Sequence, residues 1–218
     1  MNNLFPLLTI ETTDELCSAA ILLSEEHFSE SNVKGKYVHS EKLIPIVKQL
    51  LEVNKLKVED LNCIAISEGP GSFTGLRIGM AAAKGLATGS GIPILPVPTF
   101  EALAHKIKDY IPQNQSFAIV RKASGDEIYF EKYKVENESL SKLESLVLLK
   151  LDELQDKTNE NDLLFSNINH GFLTRNSVII SALDVGKWAY KFGKDLVTSD
   201  YDLIEPKYFK EFIVRDSK

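Results

Sequence analysis

Two short stretches carry the residue types that could do chemistry. Glu11, Thr12 and Thr13 put a carboxylate beside two hydroxyls in a polar turn between apolar runs, a set that can direct a phosphate or Mg²⁺. Gly69-Pro70-Gly71-Ser72 makes a tight turn between an apolar run and a long helical stretch. Strand, glycine turn and helix is the local form of many phosphate sites, because the first-turn amides and the helix dipole both favour an anion. The named patterns fail, however. A P-loop counted from Gly69 would need glycine at Thr74 and lysine at Gly75, and the dinucleotide fingerprint meets Thr74 where its third glycine belongs. A nucleophile elbow is excluded because Ser72 directly follows Gly71. The residues read best as a corner that lets a helix lie close on a sheet, with an anion beside Arg77 as the alternative.

Other candidates are thin. His27, His39, His105 and His170 are scattered and form no His-x3-His, so no metal ligands and no catalytic residues are expected. Cys17 and Cys63 sit in apolar runs, as free core cysteines of a reducing compartment do. The net charge of −6 argues against a chain that holds nucleic acid over a broad basic face. No stretch reads as a signal peptide or a membrane span, so a cytoplasmic protein with no membrane partner is expected.

These stretches need elements to position them. Leu7–Ile10 and Cys17–Leu23 read as a β-hairpin, with an edge strand around His27-Phe28-Ser29. Ser40–Val53 has helical spacing, Cys63–Ile66 is a strand, and a helix capped by Ser72 or Thr74 follows. Ile92–Val97 is a strand and Pro98–Tyr110 a helix with Thr99 as a candidate N-cap. The hairpin pattern then restarts with Phe117–Val120 and Ile128–Val135 around the turn Lys122–Asp126, an echo of the opening. Strands at Leu146–Leu149, Leu163–Phe165 and Val178–Ile180, a helical turn at Leu151–Asp156, a helix at Ala182–Gly193 and an extended tail at Leu203–Phe209 complete the pattern. The expected class is α/β, with mixed, mainly parallel sheets and a boundary that divides residues 1–109 from 110–218.

The helix after the glycine turn has an apolar arc of roughly 200°, about twice what covering one side of a core requires. The Ser40–Val53 helix is similarly wide. Leu43, Ile46, Val47, Leu50, Leu76, Met80, Ala83 and Ala87 are therefore the expected partner surface.

The run Glu68-Gly69-Pro70-Gly71-Ser72-Phe73-Thr74-Gly75-Leu76-Arg77-Ile78-Gly79 and its continuation Ala82-Ala83-Lys84-Gly85-Leu86-Ala87 resembles the signature of the TsaB (YeaZ) family. Ile10–Thr13, His39 with Leu43–Leu51, and Glu205-Pro206-Lys207-Tyr208 resemble that family's hairpin, first helix and C-terminal motif. The resemblance implies an ASKHA fold (actin, sugar kinase and Hsp70-like, RNase H-like) with two similar lobes. It also implies a non-catalytic scaffold of tRNA threonylcarbamoyladenosine synthesis. Its expected partners are TsaD and the ATPase TsaE, with tRNA reached indirectly and a homodimer when the chain is free. The His-x3-His of the TsaD paralogue would fall on Thr99 and Leu103. The family's hairpin Asp is Glu11 here, and its second-lobe Asp-Ala-Arg is Lys122-Ala123-Ser124. No cofactor is expected, with ATP or ADP and Mg²⁺ confined to the interface of the complex. The alternative is an ASKHA ATPase or small-molecule kinase that binds nucleotide through Glu11, Thr12, Thr13, Gly69 and Gly71; a metallopeptidase is a third reading.

Overall fold

β1 (Leu7–Glu11) and β4 (Cys63–Gly69) are buried along their whole length, as strands covered on both faces must be. β2 (Leu16–Leu22) pairs antiparallel with β1, Leu7 opposite Leu22, and β4 runs parallel to β1, Leu7 opposite Cys63. β3 (Phe28–Lys34) closes one edge with no fully buried residue, and β5 (Ile94–Pro98) lies parallel to β4 at the other. The order β3-β2-β1-β4-β5 follows in this computed structural model, which describes residues 3–168 and 177–208.

α1 (His39–Asn54) and α2 (Phe73–Ser90) share one face of this sheet. α3 (Thr99–Lys108) and α5 (Ala182–Phe192) cover the other. Pro45 lies in the second turn of α1 and does not break it. Ser72 caps α2, its hydroxyl accepting from the Gly75 N–H at 3.3 Å, and Gly91 ends that helix in the left-handed region at φ 72°.

The second sheet repeats the first. β6 (Ser116–Lys122) pairs antiparallel with β7 (Glu127–Glu136), which pairs with β8 (Ser139–Lys150), while β9 (Leu163–Ser166) runs parallel to β6. The order β8-β7-β6-β9 matches β3-β2-β1-β4, so the echo of the hairpin is a duplicated lobe. Both sheets are mixed, and antiparallel pairs make up four of the seven pairings among the described residues. α4 (Leu154–Lys157) is the helical turn expected near residue 151, preceded by a 3₁₀ turn.

Several expectations need correction. The division at residue 110 separates the two sheets but not the chain, because α5 returns to the first lobe. Its N-terminus is tied there: Thr9 Oγ1 donates to the Ala182 carbonyl at 2.7 Å, and the Ala182 N–H donates to Ser18 Oγ at 2.8 Å. Thr198 also bridges to Ile94. Val178–Ile180 is not a strand, and Pro98 rather than Thr99 occupies the N-cap of α3. β8 is three times as long as expected, since its polar edge lacks the apolar run that marked only Leu146–Leu149. The expected tail begins in a 3₁₀ turn, Tyr201–Leu203, and continues without regular structure to Tyr208; Phe209 lies outside the described residues.

Candidate functional site

The glycine turn lies against the hairpin tip. A Cβ on Gly75 would sit 2.0 Å from the Thr12 carbonyl oxygen, one on Gly71 2.5 Å from Thr13 Cβ, and one on Gly79 2.3 Å from Thr12 Oγ1. Thr12 Oγ1 donates to the Gly75 carbonyl at 2.8 Å, and the Ser72 N–H donates to the Thr13 carbonyl at the same distance. Only glycine permits so close an approach of helix and turn. Gly69 serves another need: its φ of 111° excludes side chains, and its N–H donates to Thr99 Oγ1 at 3.1 Å. Thr12, Gly69 and Gly71 thus spend their polar groups or their lack of Cβ on packing this corner.

That contact is testable. Gly79→Ala should cost about 2 kcal/mol by overpacking. The obstructing atom is a side-chain oxygen, so in a Thr12→Ala background the same change should cost much less. Urea denaturation of the four chains measures the coupling, and equal costs in both backgrounds would remove the steric explanation.

Glu11 is enclosed, with no exposed surface. Thr13 donates to Oε1 through its N–H and, at 2.5 Å, through its hydroxyl, while Ser67 Oγ bonds Oε2. Burial pushes this carboxyl up to about 7, against the lowering effect of the Ser67 and Thr13 hydrogen bonds and with a smaller push from Asp14. Its oxygens are turned to its own turn and to β4.

An open cleft of about 1210 Å³ lies between the hairpin tip, the β3–α1 loop, the start of α2 and the second lobe's turn at Lys122–Ser124. Asp14 on its wall pairs with Arg121 at 3.6 Å and accepts from Asn167 at 3.2 Å. The tail closes one end. Lys207 Nζ meets the buried Glu68 at 2.6 Å, and the Lys207 N–H donates to the Glu68 carbonyl at 2.7 Å. Arg77 lies 3.9 Å above the Phe73 ring and donates from Nε to the Tyr208 hydroxyl at 3.0 Å. The role of Glu68 was not legible locally, because its partner is 139 residues away.

The eight side chains expected to face a partner do not. Leu43 is 1% exposed and Met80 3%, and Ile46, Val47, Leu50, Leu76, Ala83 and Ala87 are equally enclosed by the chain itself. The wide apolar arcs have another cause: each helix is buried against both the sheet and its neighbour. What the pair presents outward is Ile44, 50% exposed, with Val53 at 67% and the half-buried Ile78, Ala82 and Leu86.

Thr99 and Leu103 are buried, one hydroxyl engaged with Gly69 and one side chain in the core, so neither fits a metal ligand at those positions. His170 lies outside the described residues. Among the described residues no three of His, Cys, Asp and Glu gather as metal ligands, and no helix is long and apolar enough to cross a membrane.

The family model for TsaD, tRNA N6-adenosine threonylcarbamoyltransferase, matches residues 35–190. The tRNA threonylcarbamoyladenosine biosynthesis protein TsaB of Buchnera aphidicola is 33% identical over 69% of this chain and 71% of its own length. This chain belongs to the TsaB family. The TsaB proteins of Haemophilus influenzae and Escherichia coli are 32% and 33% identical over 60% and 45% of the chain, and these matches span about half or less of those relatives, 54% and 42%. YeaZ from Pseudomonas aeruginosa superposes with a TM-score of 0.73 over 93% of this chain and 98% of its own, at 24% identity. The two-lobed TsaB architecture is therefore of the ASKHA type.

Proposed function

We propose that this TsaB-family chain is a non-catalytic subunit of tRNA threonylcarbamoyladenosine synthesis that docks on TsaD through the outer surface of α1 and α2. The observation that carries this reading is the paired helices. Their inner rows are committed to the core, while the row Ile78, Ala82 and Leu86 stays half-buried along α2 and Ile44 and Val53 are exposed on opposite flanks of α1, leaving apolar surface uncovered. A Cβ on Gly85 or Gly89 would meet nothing within 4 Å, so a second helix can approach the backbone of α2 closely. In the free chain the same surface serves a homodimer. The docked pair assists recruitment of TsaE and reaches tRNA through TsaD, in the cytoplasm.

The engagement of the polar side chains at this corner supports a non-catalytic role. Glu11, Thr12 and Thr13 are bonded among themselves and to Ser67 and Gly75, and the family resemblance puts Thr99 and Leu103 at the positions expected to hold the paralogue's imidazoles. An ATPase or kinase reading would require ATP and Mg²⁺ to bind the isolated chain, which calorimetry tests directly.

Ile44→Glu combined with Ala82→Glu should weaken association with TsaD at least ~tenfold while leaving the fold intact, because both positions face outward. Co-purification and analytical ultracentrifugation read the result. Full complex formation by the doubly charged variant would remove this surface from the proposal.

A further inference from the structure

The cleft has a mouth built differently from its floor. Tyr37 stands there 91% exposed, with its backbone in the left-handed region at φ 61°, a conformation uncommon for a bulky residue. The loop that displays it is anchored: the Gly35 N–H donates to the Glu15 carbonyl at 3.1 Å, and a Cβ on Gly35 would lie 2.9 Å from Val38. Lys34 and Lys36 flank the tyrosine, and Lys122 faces the cleft from the second lobe. None of the three makes an ion pair among the described residues, whereas Lys207 is held by Glu68. Of the acids on the wall, Asp14 is paired with Arg121, so Glu15 and Glu127 stand against the three lysines. Local charge is therefore positive despite the overall −6.

Two further features point to an anion. α1 begins in this cleft at His39, and no side chain caps it, so its first amides lack the usual acceptor. His39 itself is buried, and its Nε2 has no partner among the described residues. An exposed ring between unpaired lysines, beside an uncapped helix start, combines a stacking surface with sites for successive phosphates. A single phosphate needs no ring, and a duplex offers no free base to stack on one.

We propose that this mouth binds a single-stranded RNA segment directly, one base stacked on Tyr37 and its phosphates near Lys34, Lys36 and Lys122. Tyr37, Lys34, Lys36 and Lys122 lie outside the proposed docking surface, which meets the cleft only at Ile78, so failure of the RNA contact would leave the docking reading untouched, and the converse also holds.

The test is fluorescence anisotropy of the full chain with a labelled single-stranded oligoribonucleotide of about ten nucleotides. Binding should fall with salt at a logarithmic slope of about −2, the value for three phosphate contacts on a single strand. Tyr37→Ser should weaken it about tenfold, and Tyr37→Phe should retain it. Lys36→Glu should weaken binding and flatten the slope by about 0.7 or more. These are exposed positions, so circular dichroism of the variants should match the parent. No binding at low salt, equal binding by Tyr37→Ser, or equal competition by duplex RNA or by ATP would each overturn the proposal.

Discussion

Leu43→Glu and Met80→Glu should each leave little folded chain, whereas Ile44→Glu, one residue along α1, should melt almost as the parent does. Leu43 and Met80 are 1% and 3% exposed, and both lie in the core shared by α1, α2 and the first sheet. Removing such a side chain costs about 2–5 kcal/mol, and placing a carboxylate in the gap adds several more. The sum is of the order of the whole stability of a domain, about 5–15 kcal/mol. Ile44 points to solvent, where the same charge meets water. Thermal melts and soluble yield separate the outcomes. A folded, stable Met80→Glu chain would mean that α2 is not seated as described. The comparison also matters for function, since loss of a complex by a core variant reports unfolding and not a docking surface.

The second large effect is a pH dependence set by Glu11. Its carboxyl ionises near 7 in the folded chain against an ordinary 4.5, chiefly because burial disfavours the charged form. The folded state therefore holds the proton more tightly than the unfolded state. The resulting stabilisation is fully present below about 4.5 and is lost as pH rises through about 7. The difference corresponds to about 3 kcal/mol between the two ends of that window. Glu11→Gln reproduces the protonated shape, with one group to face Ser67 and an oxygen for the Thr13 donors. The variant should match the parent at acid pH and exceed it above neutrality. His105 acts in the opposite sense, since burial and nearby lysines lower its pKa and its contribution is lost as pH falls. The difference between parent and Glu11→Gln cancels that term. Denaturation midpoints across the window check it, and parallel curves for the two chains would refute the role given to Glu11.

Glu11 also shows why a resemblance to a hairpin acid does not give its role. Glutamate and two threonines in a turn are equally consistent with an open phosphate site and with a closed hydrogen-bonded corner. The difference is made by Ser67 and by glycines far along the chain, which bring α2 onto Thr12 and Thr13. The same holds for Glu68, whose partner Lys207 is supplied by the tail.

The sequence by itself determined the elements with strong period and punctuation: the buried strands, the two wide helices, the glycine corner and the restart of the pattern that proved to be a second lobe. These depend on backbone sterics and on apolar spacing within a few residues, so they can be read locally. Only the tertiary structure decided which side of each wide helix is core, because an apolar arc of roughly twice the usual width does not say what covers it. It also decided that α5 returns to the first lobe, that Thr99 supports Gly69 instead of capping a helix, and that Tyr37 is displayed between unpaired lysines. Those facts belong to pairs of residues brought together across long stretches of chain. No local pattern encodes such a pair.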